Sequence, residues 1–224
     1  MKRLIIIKGI ILALLLIALP RSQAQGTVYL SNLNQTTLAG AAVGSDAWLA
    51  TCFLTGANAD GYVLDSIELA MASSIGSPSG FTVMLYSAVS DVEYYPGTSL
   101  GTFSGSMSPM TGGIFTYTAP SDLLLSPNTS YFIVLTAETT VSSGAFEYNY
   151  SGPYSESNDG WFAPEGNSAP DNYQSVNGST WNWIPDNNAG NLQYSLTATA
   201  VPEPGELGLT AFGILLIGFR RWQY

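Results

Sequence analysis

Between Ala47 and Thr199 the apolar runs are short, mostly β-branched or aromatic, and closed by Gly, Pro, Asn, Asp or Ser. No stretch repeats at helical spacing, so the chain is confined to strands a few residues long. Tyr62 to Met71 shows the two-residue period: Val63, Asp65, Ile67, Leu69 and Met71 fall on one, more apolar face, and Leu64, Ser66, Glu68 and Ala70 on the other. The turn Ser77-Pro78-Ser79-Gly80 leads into Phe81 to Ser87, where Phe81, Val83 and Leu85 alternate against Thr82, Met84 and Tyr86. Beyond Pro96-Gly97, strands are expected from Ser99 to Ser104 and from Ile114 to Thr118. Leu123-Leu124-Leu125 passes through the turn Ser126-Pro127-Asn128-Thr129 into Tyr131 to Ala137, whose near-continuous apolar run predicts a central strand buried on both faces. Ala145–Tyr150, Gly160–Ala163, Trp181–Ile184 and Leu192–Thr199 complete the series. In the last, Leu192, Tyr194, Leu196 and Ala198 oppose Gln193, Ser195, Thr197 and Thr199. The expected fold is all-β, an antiparallel β-sandwich of jelly-roll-like form, over residues 25–200. About 175 residues suffice for one well-buried core.

The two ends read differently. Met1 to Gln25 has a positive start (Lys2, Arg3, Lys8), an apolar core from Ile10 to Leu19 and a helix breaker at Pro20. Ser22-Gln23-Ala24 places small residues where a signal peptidase reads, which predicts a signal peptide over 1–24 for the general secretory route. At the other end, Val201-Pro202-Glu203-Pro204 is followed by an apolar run from Leu207 to Phe219 and then Arg220-Arg221. The paired prolines stop any strand or helix. The apolar run, read as a hydrophobic sorting helix, falls short of the roughly 20 residues that cross a bilayer comfortably.

This tail, residues 201–224, resembles the PEP-CTERM sorting signal of Gram-negative bacteria through Val201, Pro202, Glu203, Pro204, the apolar run, Arg220 and Arg221. The resemblance implies a tail held transiently in the inner membrane and processed by an exosortase, a membrane cysteine protease-transpeptidase, with Pro-Glu-Pro as the recognition element. A second resemblance lies in Gly61–Ile67, Gly80–Tyr86, Pro96–Leu100 and Leu125–Phe132, which look like the choice-of-anchor domains of bacterial surface proteins, closest to the R type. Those motifs are turns and core strands, so they imply a fold and no catalytic residue.

Charge narrows the function classes. All six basic residues lie in the terminal segments (Lys2, Arg3, Lys8, Arg21, Arg220, Arg221), whereas all 16 acids fall between Ser22 and Phe219, where there is no Lys, Arg or His. A domain without cations cannot neutralise phosphates, which excludes nucleic acid as a partner. Its carboxylates are left to water, backbone amides or metal. Cys52 is the single cysteine, so no internal disulfide forms. Leu49-Ala50-Thr51-Cys52 has the outline of a lipoprotein attachment box but lies far from the signal core. Cys52 reads as a small buried hydrophobe. Without histidine or lysine, neither a serine nor the cysteine has its ordinary activating base. Sequence spacing does not pair the acids into a glycosidase couple either, and the chain is read as no enzyme.

Two further features carry candidate chemistry. Trp161, Phe162, Tyr173, Trp181 and Trp183 cluster between Tyr154 and Trp183, with Asn172, Gln174, Asn177, Asn182 and Asp171 among them. Indole faces stack on the C–H faces of sugars, so Trp161, Tyr173, Trp181 and Trp183 are candidate carbohydrate-binding residues. If Trp181 and Trp183 share a strand they share a face. The same pattern equally fits a sandwich core. The loops Asp186–Asn191 and Glu156–Gly160 gather hard oxygen ligands and leave calcium open as a weak possibility; otherwise no cofactor or metal is expected. Asn- and Gly-rich turns produce the same composition for conformational reasons. Two readings follow: a secreted or surface-anchored structural protein of an exopolysaccharide matrix or biofilm, and a non-catalytic carbohydrate-binding module.

Overall fold

The computed structural model describes residues 26–90, 94–151, 156–157, 160–163, 172–184 and 191–202. The predicted signal peptide, and Glu203, Pro204, Arg220 and Arg221 of the tail, lie outside the described residues. Among the described residues there are sixteen strands and no helix. In chain order they are β1 (Thr27–Ser31), β2 (Thr37–Val43), β3 (Trp48–Leu54), β4 (Tyr62–Met71), β5 (Ile75–Gly76), β6 (Thr82–Ser90), β7 (Tyr94–Thr102) and β8 (Gly113–Thr118). Then follow β9 (Leu124–Leu125), β10 (Ser130–Thr136), β11 (Gly144–Ser151), β12 (Glu156–Ser157), β13 (Asn172–Ser175), β14 (Asn182–Trp183), β15 (Asn191–Leu192) and β16 (Tyr194–Ala200).

They make two antiparallel sheets packed as a β-sandwich. The smaller has six strands in the order β14-β13-β3-β10-β6-β7. The larger has ten, along β12-β1-β16-β4-β11-β15, with β2 and β5 on β11 and β8 and β9 on β4. One cluster fills the space between them: Leu30, Ile67, Leu69, Phe146, Tyr194 and Leu196 from the larger sheet meet Phe53, Val83, Leu85, Ile133 and Leu135 from the smaller. Burying each such side chain is worth roughly 1.5–3 kcal/mol, which makes this layer the main stabilising term.

Strand β10 is the central strand that its apolar run predicts. Tyr131, Ile133 and Leu135 join the inner core, while Phe132 and Val134, fully buried, belong to a second cluster on the outer face of the six-stranded sheet. The turn before it places Asn128 at φ 48°, a left-handed conformation that asparagine tolerates. Leu192, Tyr194, Leu196 and Ala198 likewise all turn inward, as their alternation predicts.

Strand β4 corrects the sequence reading. Tyr62 and Leu64 face the core together with Ile67, Leu69 and Met71, so the alternation changes phase within the strand. The cause is a bulge: on β16 Thr197 pairs with Ser66 while the next residue, Ala198, pairs with Leu64, leaving Asp65 without an opposite number. Outside the core, the Asp65 carboxylate accepts the Thr199 hydroxyl at 2.8 Å. A bulge adds one residue to one strand and thereby swaps the faces of everything beyond it.

Other strands differ as well. β7 begins at Tyr94 and runs through Pro96-Gly97, because it is an edge strand and an edge tolerates the missing proline donor. Within Gly160–Ala163 the pairing is a single bridge between Phe162 and Leu54. β1 and β2 form from stretches with no clear alternation, β2 being Thr-Leu-Ala-Gly-Ala-Ala-Val.

Candidate functional site

The four candidate aromatic residues are divided between two layers. Trp161 is fully buried in the inner core. It lies between Tyr29 of β1 (ring centroids 4.9 Å, planes 22° apart) and Phe53 of β3 (5.7 Å, 3°), with Tyr62 of β4 edge-on at 5.0 Å. Its rings therefore tie the two sheets together and offer no surface to a ligand. Trp161 is thus removed from the candidate carbohydrate site, because an indole with no exposed surface, packed on rings of both sheets, serves the core.

Tyr173 and Trp181 belong to the outer cluster on the six-stranded sheet, with Ala50, Cys52, Met84, Phe132 and Val134 as its buried floor and Trp48, Tyr86, Ala88 and Trp181 partly buried around it. Cross-strand register explains the grouping, since residues opposite one another share a face. One row runs Trp183, Tyr173, Ala50, Val134, Met84 across five strands. The next runs Cys52, Phe132, Tyr86. Cys52 is a buried, unbridged thiol in this floor.

The turn between β13 and β14 brings Trp181 onto this face. Asn177 Oδ1 accepts the amides of Ser179 (2.9 Å) and Thr180 (3.0 Å), and the Ser175 hydroxyl accepts that of Gly178 at 2.9 Å. Gly178 sits at φ 71°, and a Cβ there would lie 2.6 Å from the Trp48 ring. Glycine is required twice over, for the backbone angle and for the close approach. The turn delivers Trp181 edge-on to Tyr86, with centroids 6.5 Å apart and planes at 78°. Burial there raises the Tyr86 phenol above its ordinary value.

Trp183 remains the open member, 40% exposed beside its buried cross-strand neighbour Tyr173. The amides expected to accompany the rings do not. Asn172 and Gln174 alternate with Tyr173, and Asn182 alternates with Trp181 and Trp183, so the two-residue period turns them to the opposite side. Asn177 is engaged in the turn, and Asp171 lies outside the described residues. The candidate site is thus an aromatic face with one exposed indole. Trp48 and Tyr86 belong to it although the sequence did not single them out as ligands; the signal was the alternation Trp48, Ala50, Cys52 and Met84, Tyr86.

The remaining candidates are placed as follows. Val201 is tied into the domain, its amide donating to the Gly61 carbonyl at 3.0 Å and its carbonyl accepting the Asn58 side-chain amide at 3.0 Å. Pro202 follows as the last described residue of the sorting motif. Most of the two calcium-candidate loops lies outside the described residues, though Glu156 and Ser157 pair with β1 as strand β12.

The fold and this face define an all-β sandwich with an inner and an outer apolar layer. Comparisons with protein-family models, with curated proteins and with solved structures find no match to this chain.

Proposed function

We propose that this chain is an exported, non-catalytic structural protein of the bacterial cell surface or extracellular matrix, sorted through an exosortase-type tail and associated with exopolysaccharide. The observation that carries the reading is where the large and polar side chains are used. Trp161, Tyr173 and Trp181 pack sheets and turns, and three polar side chains, Asn32, Gln193 and Thr55, tie distant backbone together. Asn32 bonds Ser151, Leu192 and Tyr194, Gln193 reaches three carbonyls between Asn32 and Gln35, and the Thr55 hydroxyl serves Ser126 and Thr129. That arrangement suits a durable spacer, a jelly-roll-like module between a secretory leader and an anchoring tail. The tail supports the route: Pro202-Glu203-Pro204, an apolar run and Arg220-Arg221 stand in the order of a sorting signal. Intact-mass measurement on protein recovered from its own host tests this. Loss of both apolar ends supports the route, and a mature species retaining Trp222 and Tyr224 overturns the tail.

The exposed indole of Trp183 favours a second reading, a carbohydrate-binding module whose aromatic face stacks on a sugar chain. Retardation of the protein in gels cast with soluble polysaccharides tests it. A binding module is slowed by a defined glycan and loses that retardation in Trp183→Ala while staying folded; a spacer migrates unretarded.

A further inference from the structure

Asn177-Gly178, in the turn between β13 and β14, is the only Asn-Gly step in the chain. An asparagine carboxamide is open to attack by the main-chain nitrogen of the residue that follows it, and glycine leaves that nitrogen uncrowded because it has no Cβ. The hydrogen bonds of this turn gather around the two atoms that such a reaction uses. The main-chain amides of Ser179 (2.9 Å) and Thr180 (3.0 Å) donate to Asn177 Oδ1, and the Ser175 hydroxyl donates to it at 3.2 Å. The Ser175 oxygen in turn accepts the Gly178 amide at 2.9 Å. One hydroxyl therefore touches both the attacking nitrogen and the oxygen on which charge would develop. A turn closed by an asparagine side chain needs only one acceptor bond. Three donors on a single carbonyl oxygen, two of them main-chain amides, make the donor set of an oxyanion hole. Ser175 is buried beneath the turn, whereas Asn177 is exposed to water.

We propose that Asn177 is a site of spontaneous modification, at which the folded turn promotes closure of a succinimide ring with release of ammonia. The Gly178 nitrogen forms a bond to Asn177 Cγ, and its proton moves through the Ser175 hydroxyl onto the addition intermediate. Negative charge developing on Oδ1 is met by the amides of Ser179 and Thr180. The Cγ–Nδ2 bond then breaks, and Nδ2 leaves as ammonia with the transferred proton. Water opens the ring in one of two ways. Cleavage between nitrogen and Cγ leaves an aspartate in an unaltered main chain, and cleavage between nitrogen and the main-chain carbonyl leaves an isoaspartate, whose chain runs on through Cβ and Cγ. The net change consumes one water, releases one ammonia and needs no other reagent. Either product places a new carboxylate in the turn that packs on Trp48. The isoaspartyl form also lengthens the main chain by one methylene next to Gly178, where a Cβ would already lie 2.6 Å from the Trp48 ring, and so displaces the turn that delivers Trp181 to Tyr86.

The test compares one chain in two states. The full chain in mild detergent is held in mildly alkaline buffer, folded in one sample and unfolded by guanidinium in the other. Samples taken over time are cut at aromatic residues, since the domain offers trypsin no Lys or Arg, and the fragment carrying Asn177 is scored by mass for the ring and for the acid. Asn177 should react at least about tenfold faster in the folded sample, because only there are the donors on Oδ1 in place. Ser175→Ala, checked for folding by circular dichroism, should lose that advantage. A folded rate equal to or below the unfolded one overturns the proposal, since the turn then only holds the amide still. A folded Ser175→Ala variant that reacts as fast as the parent overturns it too. Should that variant fail to fold, the two parent samples decide alone.

Discussion

Trp161 and Phe53 lie face to face, their planes 3° apart and their centroids 5.7 Å apart, although they are more than a hundred residues apart in the chain. Tyr29 also stacks on the indole and Tyr62 meets it edge-on, so rings from both sheets converge on one side chain. Trp161→Ala should therefore leave a large cavity and cost about 3–5 kcal/mol. Trp183→Ala, at an exposed position, should cost less than about 1 kcal/mol. Urea titrations of the two variants against the parent give both numbers, and equal losses would contradict the assignment of Trp161 to the core and Trp183 to the surface.

Asn32 ties its own segment to two others. Its side-chain amide donates to the Ser151 hydroxyl at 2.9 Å and the Leu192 carbonyl at 3.0 Å, and its carbonyl accepts the Tyr194 amide at 2.7 Å. The group is completely buried, so water cannot replace those partners. Asn32→Ala should cost about 3 kcal/mol, as unpaired buried groups are left behind. A drop in melting temperature of only a degree or two would show that water enters the site.

Tyr148 is completely buried, and its hydroxyl has no hydrogen-bond partner among the described residues. Desolvation, with Tyr194 and Tyr150 close by, raises its phenol well above 10.0. A raised folded value means stability that is complete below the unfolded value and lost as pH rises through the folded one. Tyr148→Phe should leave stability at neutral pH unchanged or raise it by about 1 kcal/mol, since it removes an unsatisfied buried group. It should also resist alkaline unfolding above about pH 10 better than the parent. Paired denaturant curves at neutral and alkaline pH decide the point; a destabilised variant would reveal a partner for the hydroxyl.

Partial burial raises the Glu147 carboxyl above its ordinary 4.5. Its native state therefore holds the proton more tightly than the unfolded chain does. That contribution is full below the ordinary value and lost as pH rises through the raised one. Glu147→Gln should gain on the parent between about pH 4 and pH 7, read from urea midpoints at the two values. An offset that does not change with pH would mean the carboxylate is as well hydrated as in the unfolded chain. Between about pH 6 and 8 the parent itself should be nearly flat, since the domain holds no histidine to titrate there.

What the sequence determined by itself were the features written in short-range periods. Alternation and turn residues marked most of the strands, the near-continuous run Tyr131–Ala137 marked the strand buried on both faces, and Leu192–Thr199 showed which of its sides turns inward. The small, buried character of Cys52 was legible for the same reason, because it alternates within Ala47–Leu54. Tertiary structure decided what a local period cannot carry. The bulge at Asp65 exists because β16 pairs across it, and it reverses the faces that Val63 and Leu64 take by counting alone. Trp161 and Trp183 belong to one aromatic stretch, yet one is sealed between sheets and the other stands half-open. That depends on partners at Tyr29 and Phe53 that only folding brings near. The amides of Asn172, Gln174 and Asn182 sit among the aromatics in sequence but across the strand from them in space, since successive side chains on a strand point to opposite sides.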